Sequence, residues 1–297
     1  MCIWKYSTAE VALTDMIFLQ QLRCELRKLF ARPRTWMGYG AFLALEALIL
    51  TVYKLETSQR HMRGIVERNG LEFSTYYSSL TITFTIMLLS MFLLGSIYFA
   101  LVAGDIVAKE NEDGNLRMVF ARPISRLRLL LVKYTAVSLY TFSFVFFVGI
   151  SGYAMAVTAV GWEGGLFVME PKMKVFAAYS DWSEGAARLA LSAAGIGISM
   201  ITLSSIAFMF SCFKIKPAAA TIITLTILFV DMILQSFPFF RPYESYFITW
   251  RMSAWVFLME QYISWPKIIE SFVFLVGLNF SLFTIGWLAF QTRDFKT

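Results

Sequence analysis

The sequence predicts an all-α polytopic membrane protein with six transmembrane helices, and three observations predict it. Hydrophobic residues make up 58% of the chain and charged ones only 15%, where a soluble domain carries about half and about a quarter. Six apolar runs reach the roughly 20 residues that a spanning helix needs. Basic residues collect on alternate connections between those runs, as the positive-inside rule requires. No long polar stretch separates the runs, so residues 1–297 read as a single transmembrane domain.

The elements follow in order. The opening "MCIWKYSTAEVALTDMIF" interleaves acids and lacks a small-residue cleavage site, so no signal peptide is expected. Over about 15–34, Leu22, Leu26, Leu29 and Phe30 fall at i, i+4, i+7 and i+8. They form one apolar stripe, with Arg23, Arg27 and Lys28 opposite. That pattern predicts an amphipathic helix lying in the membrane interface, its stripe toward the acyl chains. Spans are predicted at about 36–54, 79–104, 129–160, 186–212, 217–235 and 270–290. Polar residues 55–78 suggest a surface helix. Residues 236–269, rich in aromatics and broken by Pro238, Pro242 and Pro266, suggest re-entrant or interfacial helices between spans five and six. A seventh span is not expected there, because it would bury Arg251.

Orientation follows from charge. An inward N-terminus puts Lys5, Arg23, Arg27, Lys28, Arg32 and Arg34 inside, then Lys109, Arg117, Arg122, Arg126, Arg128 and Lys133, then Lys214, Lys216, Arg293 and Lys296. Both termini are then cytoplasmic, and Cys2, Cys24 and Cys212 lie on or near the reducing side. The net charge of +6 is explained by this bias, so no nucleic-acid partner is implied. One histidine and three scattered cysteines offer no metal-ligand spacing, and no catalytic residues are assigned.

The connection "KENEDGNLRMVFARPISR" between spans two and three carries the most information. Leu116, Val119 and Phe120 fall at i, i+3 and i+4, the apolar edge of a short helix. Gly114 permits a backbone break before it and Pro123 prevents continuation after it. Ser125 is placed to cap the next long helix. Glu110, Arg117 and Arg122 supply flanking charge that would set the register of a docked partner. The competing reading is a solvated loop that merely obeys the positive-inside rule.

The stretch "ENEDGNLRMVFARPISRLRLLLVKY" resembles the signature of ABC-2-type transporter permeases. The matching positions are Glu110, Gly114, Leu116, Arg117, Pro123, Ser125, Arg126 and Lys133. "CELRKLFARPRTW" is similar to the family's helix before the first span, and "GWLAFQTRDFK" to its C-terminal ending. Asn115 departs from the Thr or Ser more usual there. The resemblance implies one half of a permease dimer, homomeric or heteromeric, in the bacterial cytoplasmic (inner) membrane. It implies a separate ABC ATPase subunit, docked on Glu110, Gly114, Leu116, Arg117, Val119, Phe120, Arg122 and Pro123. It also implies export. No Gly-Lys-Ser or Gly-Lys-Thr occurs in the chain, so a phosphate-cradling loop is lacking. The chain is therefore expected to bind no cofactor and to be no enzyme, with ATP hydrolysed by the partner.

Glu46 and Asp231 lie inside predicted spans, where a charge costs about 2.5–3.5 kcal/mol on insertion scales. Each is a candidate for a substrate path, against the alternative of a buried carboxyl bonded to a neighbouring helix. Neither has a paired base in the sequence, and no inverted repeat marks a secondary transporter. A membrane component of an assembly complex, driven by the same kind of ATPase, stays open. So do the cargo and its direction.

Overall fold

The computed structural model describes residues 8–120 and 124–293. Among them, six helices are long and apolar enough to cross a membrane: Pro33–Lys54, Ser79–Glu112, Arg126–Val160, Trp182–Ser211, Pro217–Ser236 and Trp265–Gln291. They are spans one to six below. Three of them have proline in the first turn, where the missing N–H costs no hydrogen bond. Span two outruns its apolar window because the polar run Lys109–Glu112 continues the helix. It ends where Gly114 takes a positive φ of 74°. Within it, Met91–Gly95 forms a π-helical turn.

Span four is the axis of the bundle. In its apolar window 78% of residues are buried, against 17% for spans five and six, which are peripheral. Its small residues do this work, as their spacing suggests. A Cβ on Gly197 would meet the Phe142 ring at 2.6 Å, and one on Gly195 would meet Trp255 at 2.8 Å. Spans one, two and three meet through aromatic side chains. Phe144 lies 4.8 Å from Phe42 and 4.9 Å from Tyr98 between ring centroids. Tyr98 also donates to the Thr35 carbonyl, and its hydroxyl lies 2.5 Å from that of Tyr140.

The helix before span one runs Thr8–Ala31. Its stripe is placed differently from the expectation. Leu22 and Leu29 are buried in the chain's own core and Leu26 packs against it. Burial against the span ends competes with lipid for the same apolar surface, and here packing wins. Ile17, Leu19 and Phe30 stay exposed, beside the basic Arg23 and Arg27.

At the opposite end of the bundle the sequence reading misses a β-hairpin. Strands Leu166–Glu170 and Val175–Tyr179 pair antiparallel, with Leu166 opposite Tyr179. The hairpin is bolted to the start of span two. The Gly165 N–H donates to the Thr75 carbonyl, the Phe167 N–H to Thr81 Oγ1, and Ser78 Oγ to the Gly165 carbonyl. Gly165 is required there, because a Cβ would sit 2.0 Å from the Tyr179 carbonyl oxygen.

The surface helix expected within 55–78 is present as Glu56–Arg68. Residues Pro238–Tyr246, Ile248–Met252 and Ser253–Met259 form short helical turns folded back on the bundle. Arg251 is buried after all, with no seventh span. It donates to Ser245 O, Ser271 Oγ and Glu270 Oε1, at 2.5, 3.3 and 2.8 Å.

Candidate functional site

The end of the bundle that carries both described chain ends holds the connection singled out by the sequence. Helix Asn115–Phe120 follows Gly114, and Ser125 Oγ accepts from the Arg128 N–H to start span three. Leu116 does not project outward as expected. It is 1% exposed and packed in the chain's own core, whereas Met118 is 68% exposed. A six-residue helix has one face to fasten and one to present, and Leu116 is the fastening. Arg122 and Pro123 lie outside the described residues, as do the side chains of Arg117, Val119 and Phe120. An open recess of about 660 Å³ adjoins Met118, walled by Arg32, Lys109, Glu110 and Asp113 among others.

Glu110 is also turned inward. Lys133, fully buried on span three, pairs with Glu110 at 2.8 Å and with Glu25 at 3.0 Å. Lys28 pairs with Glu25 at 2.7 Å and Glu110 at 3.4 Å. Two acids and two bases thus alternate across the amphipathic helix, span two and span three. Beside them Arg34 of span one pairs with Asp105 of span two. Arg126 donates to the carbonyls of Phe290, Gln291 and Arg293, and Arg293 to that of Cys212. These cations satisfy the last carbonyls of spans six and four, where the helix dipole also favours positive charge. Much of the charge credited to topology is therefore structural as well.

Of the two intramembrane acids, Glu46 is fully buried, and its Oε1 accepts from Ser151 Oγ at 2.9 Å. Its Oε2 has no partner among the described residues. Asp231 caps the turn Ile248–Met252, accepting from the N–H groups of Ile248 and Thr249, from Thr249 Oγ1 and from Gln235 Nε2. The structure does not bring Glu46 and Asp231 together. They serve different element pairs, span one with span three and span five with the folded-back segment.

A family profile described as ABC-2 family transporter protein matches residues 21–231, more than two thirds of the chain. The chain belongs to the ABC-2 transporter family. No curated protein matches it. This ABC-2 chain is a multi-pass membrane protein and the permease component of an ABC transporter, the family being a transmembrane component rather than an ATPase. The matched stretch includes the amphipathic helix from Gln21, the buried charge cluster and the short helix.

Sequence reasoning names Lys133 and Glu110 as signature positions but misses Glu25 and Lys28 as their partners. The signal was available: Glu25 and Lys28 lie three apart on one helix, flanking the stripe that proves to be buried. Stability of the cluster has a defined pH window. Burial alone would raise the Glu25 carboxyl, but Lys133 and Lys28 outweigh it and hold it below the usual 4.5. Burial alone would lower the Lys28 ammonium, but Glu25 and Glu110 outweigh it and hold it above the usual 10.5. The Glu25 contribution is present above its unfolded value and is lost as pH falls through the lower folded one. That of Lys28 is complete below its unfolded value and is lost as pH rises through the higher folded one. The melting temperature in detergent is expected to be flat between about pH 6 and 9 and to fall on both sides. Glu25→Gln should shrink the acid-side fall; an unchanged acid limb would assign that fall to other carboxylates.

Proposed function

We propose that this ABC-2 permease is one half of an exporter whose power stroke comes from a separate ATPase seated against helix Asn115–Phe120, on the cytoplasmic side of a bacterial inner membrane. ATP binds and is hydrolysed on that partner, and the permease binds no cofactor of its own. A second permease copy, identical or sister, completes the pathway.

One observation carries the coupling step. The short helix is fastened inward through Leu116 while Met118 stands out beside an open recess. The charge cluster under it ties spans two and three together. A push on Met118 is then delivered to packed elements rather than to a slack loop. A partner can shift a two-state equilibrium only through differential binding, so a rigid handle is what the mechanism needs. Val119, Phe120, Arg117, Arg122 and Pro123 are assigned to the same docking region on the strength of the signature.

The test is Met118→Asp in permease co-reconstituted with the ATPase that co-purifies with it. Membrane insertion and melting temperature should stay at the parent's values, while permease-stimulated ATP hydrolysis falls about tenfold or more, about 1.4 kcal/mol or more of lost coupling. Full stimulation by this variant would remove Asn115–Phe120 as the docking element. Leu116→Asp would not serve, because a buried charge unfolds the region whether or not anything docks there.

A further inference from the structure

Towards the hairpin end, spans two, four and five, the hairpin turn and the folded-back segment enclose a cavity of about 310 Å³. Its wall includes the π-helical turn of span two, a rare element that is frequent at functional sites. Five methionines line it: Met91, Met173, Met200, Met232 and Met252. Unbranched thioether side chains adapt their shape to an apolar guest and make favourable contacts with aromatic ones. Trp255 adds an aromatic face, the surface that best attracts a positive charge.

The charged groups of the cavity sit together at the hairpin turn, and they are not equivalent. Lys172 Nζ donates to Gln235 Oε1 at 2.8 Å, and Gln235 Nε2 in turn donates to Asp231 Oδ2 at 3.0 Å. The ammonium is thus drawn onto the polar chain of span five. Glu170 is half-buried at the end of the first strand, where its backbone pairs with Val175, but its carboxylate has no hydrogen bond or ion pair among the described residues. The lining is mostly apolar, with Ser96, Thr249 and Ser253 as its neutral polar members, and of its two charged residues Glu170 lacks the side-chain partner that Lys172 has. Anionic guests are repelled by that carboxylate, and neutral guests leave it unpaired. A guest with an apolar body and a positive end satisfies both parts.

We propose that this cavity binds a lipophilic cation, its apolar body among the methionines and Trp255 and its positive end toward Glu170. Its place in a transport cycle rests on the permease reading above. Binding itself needs no ATPase, so the two proposals fail separately.

The experiment uses the purified full chain in uncharged detergent and two probes of nearly equal shape and opposite charge, tetraphenylphosphonium and tetraphenylborate. Equilibrium dialysis should show saturable phosphonium binding, at least about tenfold tighter than that of the borate. Glu170→Gln should weaken phosphonium binding about tenfold and leave the borate no weaker. Met200→Trp, which fills the cavity, should abolish saturable binding of the phosphonium. Borate bound as tightly as phosphonium by the native chain, or no saturable phosphonium binding, would overturn the proposal, and neither result depends on a variant folding. An unchanged phosphonium affinity in a folded Glu170→Gln chain would overturn it as well.

Discussion

Lys133→Met is expected to leave little folded protein. Lys133 is fully buried, and its ammonium is shared between Glu25 and Glu110 at 3.0 and 2.8 Å. Removing it leaves two largely buried carboxylates with Lys28 as their remaining cationic partner in the cluster. Breaking a buried pair from one side costs about 3–5 kcal/mol, because the abandoned charge has no water to return to. That is a large part of a typical domain's stability of about 5–15 kcal/mol. The same physics predicts a rescue. Replacing the charges together, as in Lys133→Met with Glu25→Gln and Glu110→Gln, removes the orphaned charges and should restore most of the folded yield. Size-exclusion profiles and melting temperatures in detergent read both results. A single variant that melts with the parent would show that the cluster does not hold the amphipathic helix to spans two and three.

The helical frame was readable because hydropathy reports it directly. Each of the six predicted spans falls on one of the six long apolar helices, and the largest difference, at the end of span two, lies where the polar run Lys109–Glu112 continues the helix past its apolar window. The short helix was readable from Gly114 and Ser125, whose backbone roles are local. What was not readable depends on which neighbour a face meets. The stripe Leu22–Leu26–Leu29 announces an apolar face but not whether lipid or protein covers it, and Leu116 poses the same ambiguity on a smaller scale. Nothing in the sequence marks Thr81 as having a distant partner, yet its hydroxyl accepts the Phe167 N–H from a hairpin 86 residues away. The hairpin itself has five-residue strands, too short to stand out between two membrane-length runs. The cavity escaped for the same reason: its methionines come from five separate elements.

Asp231→Ala should unfasten the folded-back segment without disturbing the spans. The carboxylate accepts from both Ile248 and Thr249 N–H groups, at 3.2 and 2.9 Å, and from Thr249 Oγ1 and Gln235 Nε2. Hydrogen bonds to a charged group are each worth about 1.5–3 kcal/mol net. Because Asp231 is half-buried and water replaces part of the loss, about 2–4 kcal/mol is expected in total. That loss falls locally, on a segment already broken into short turns. Hydrogen exchange at residues 247–259 should rise by one to two orders of magnitude, while spans two and four keep their protection. Asp231→Asn retains the shape but turns two further N–H groups toward existing donors, so it should fall between alanine and the parent. The segment supplies Thr249, Met252 and Trp255 to the wall of the methionine cavity. Saturable tetraphenylphosphonium binding should therefore disappear in Asp231→Ala although Asp231 does not itself line the cavity. Unchanged exchange at 247–259 would mean that the aromatic packing of the segment, not this carboxylate, holds it in place. Asp231 would then be free for the substrate-path role that the sequence left open beside that of a buried, bonded carboxyl.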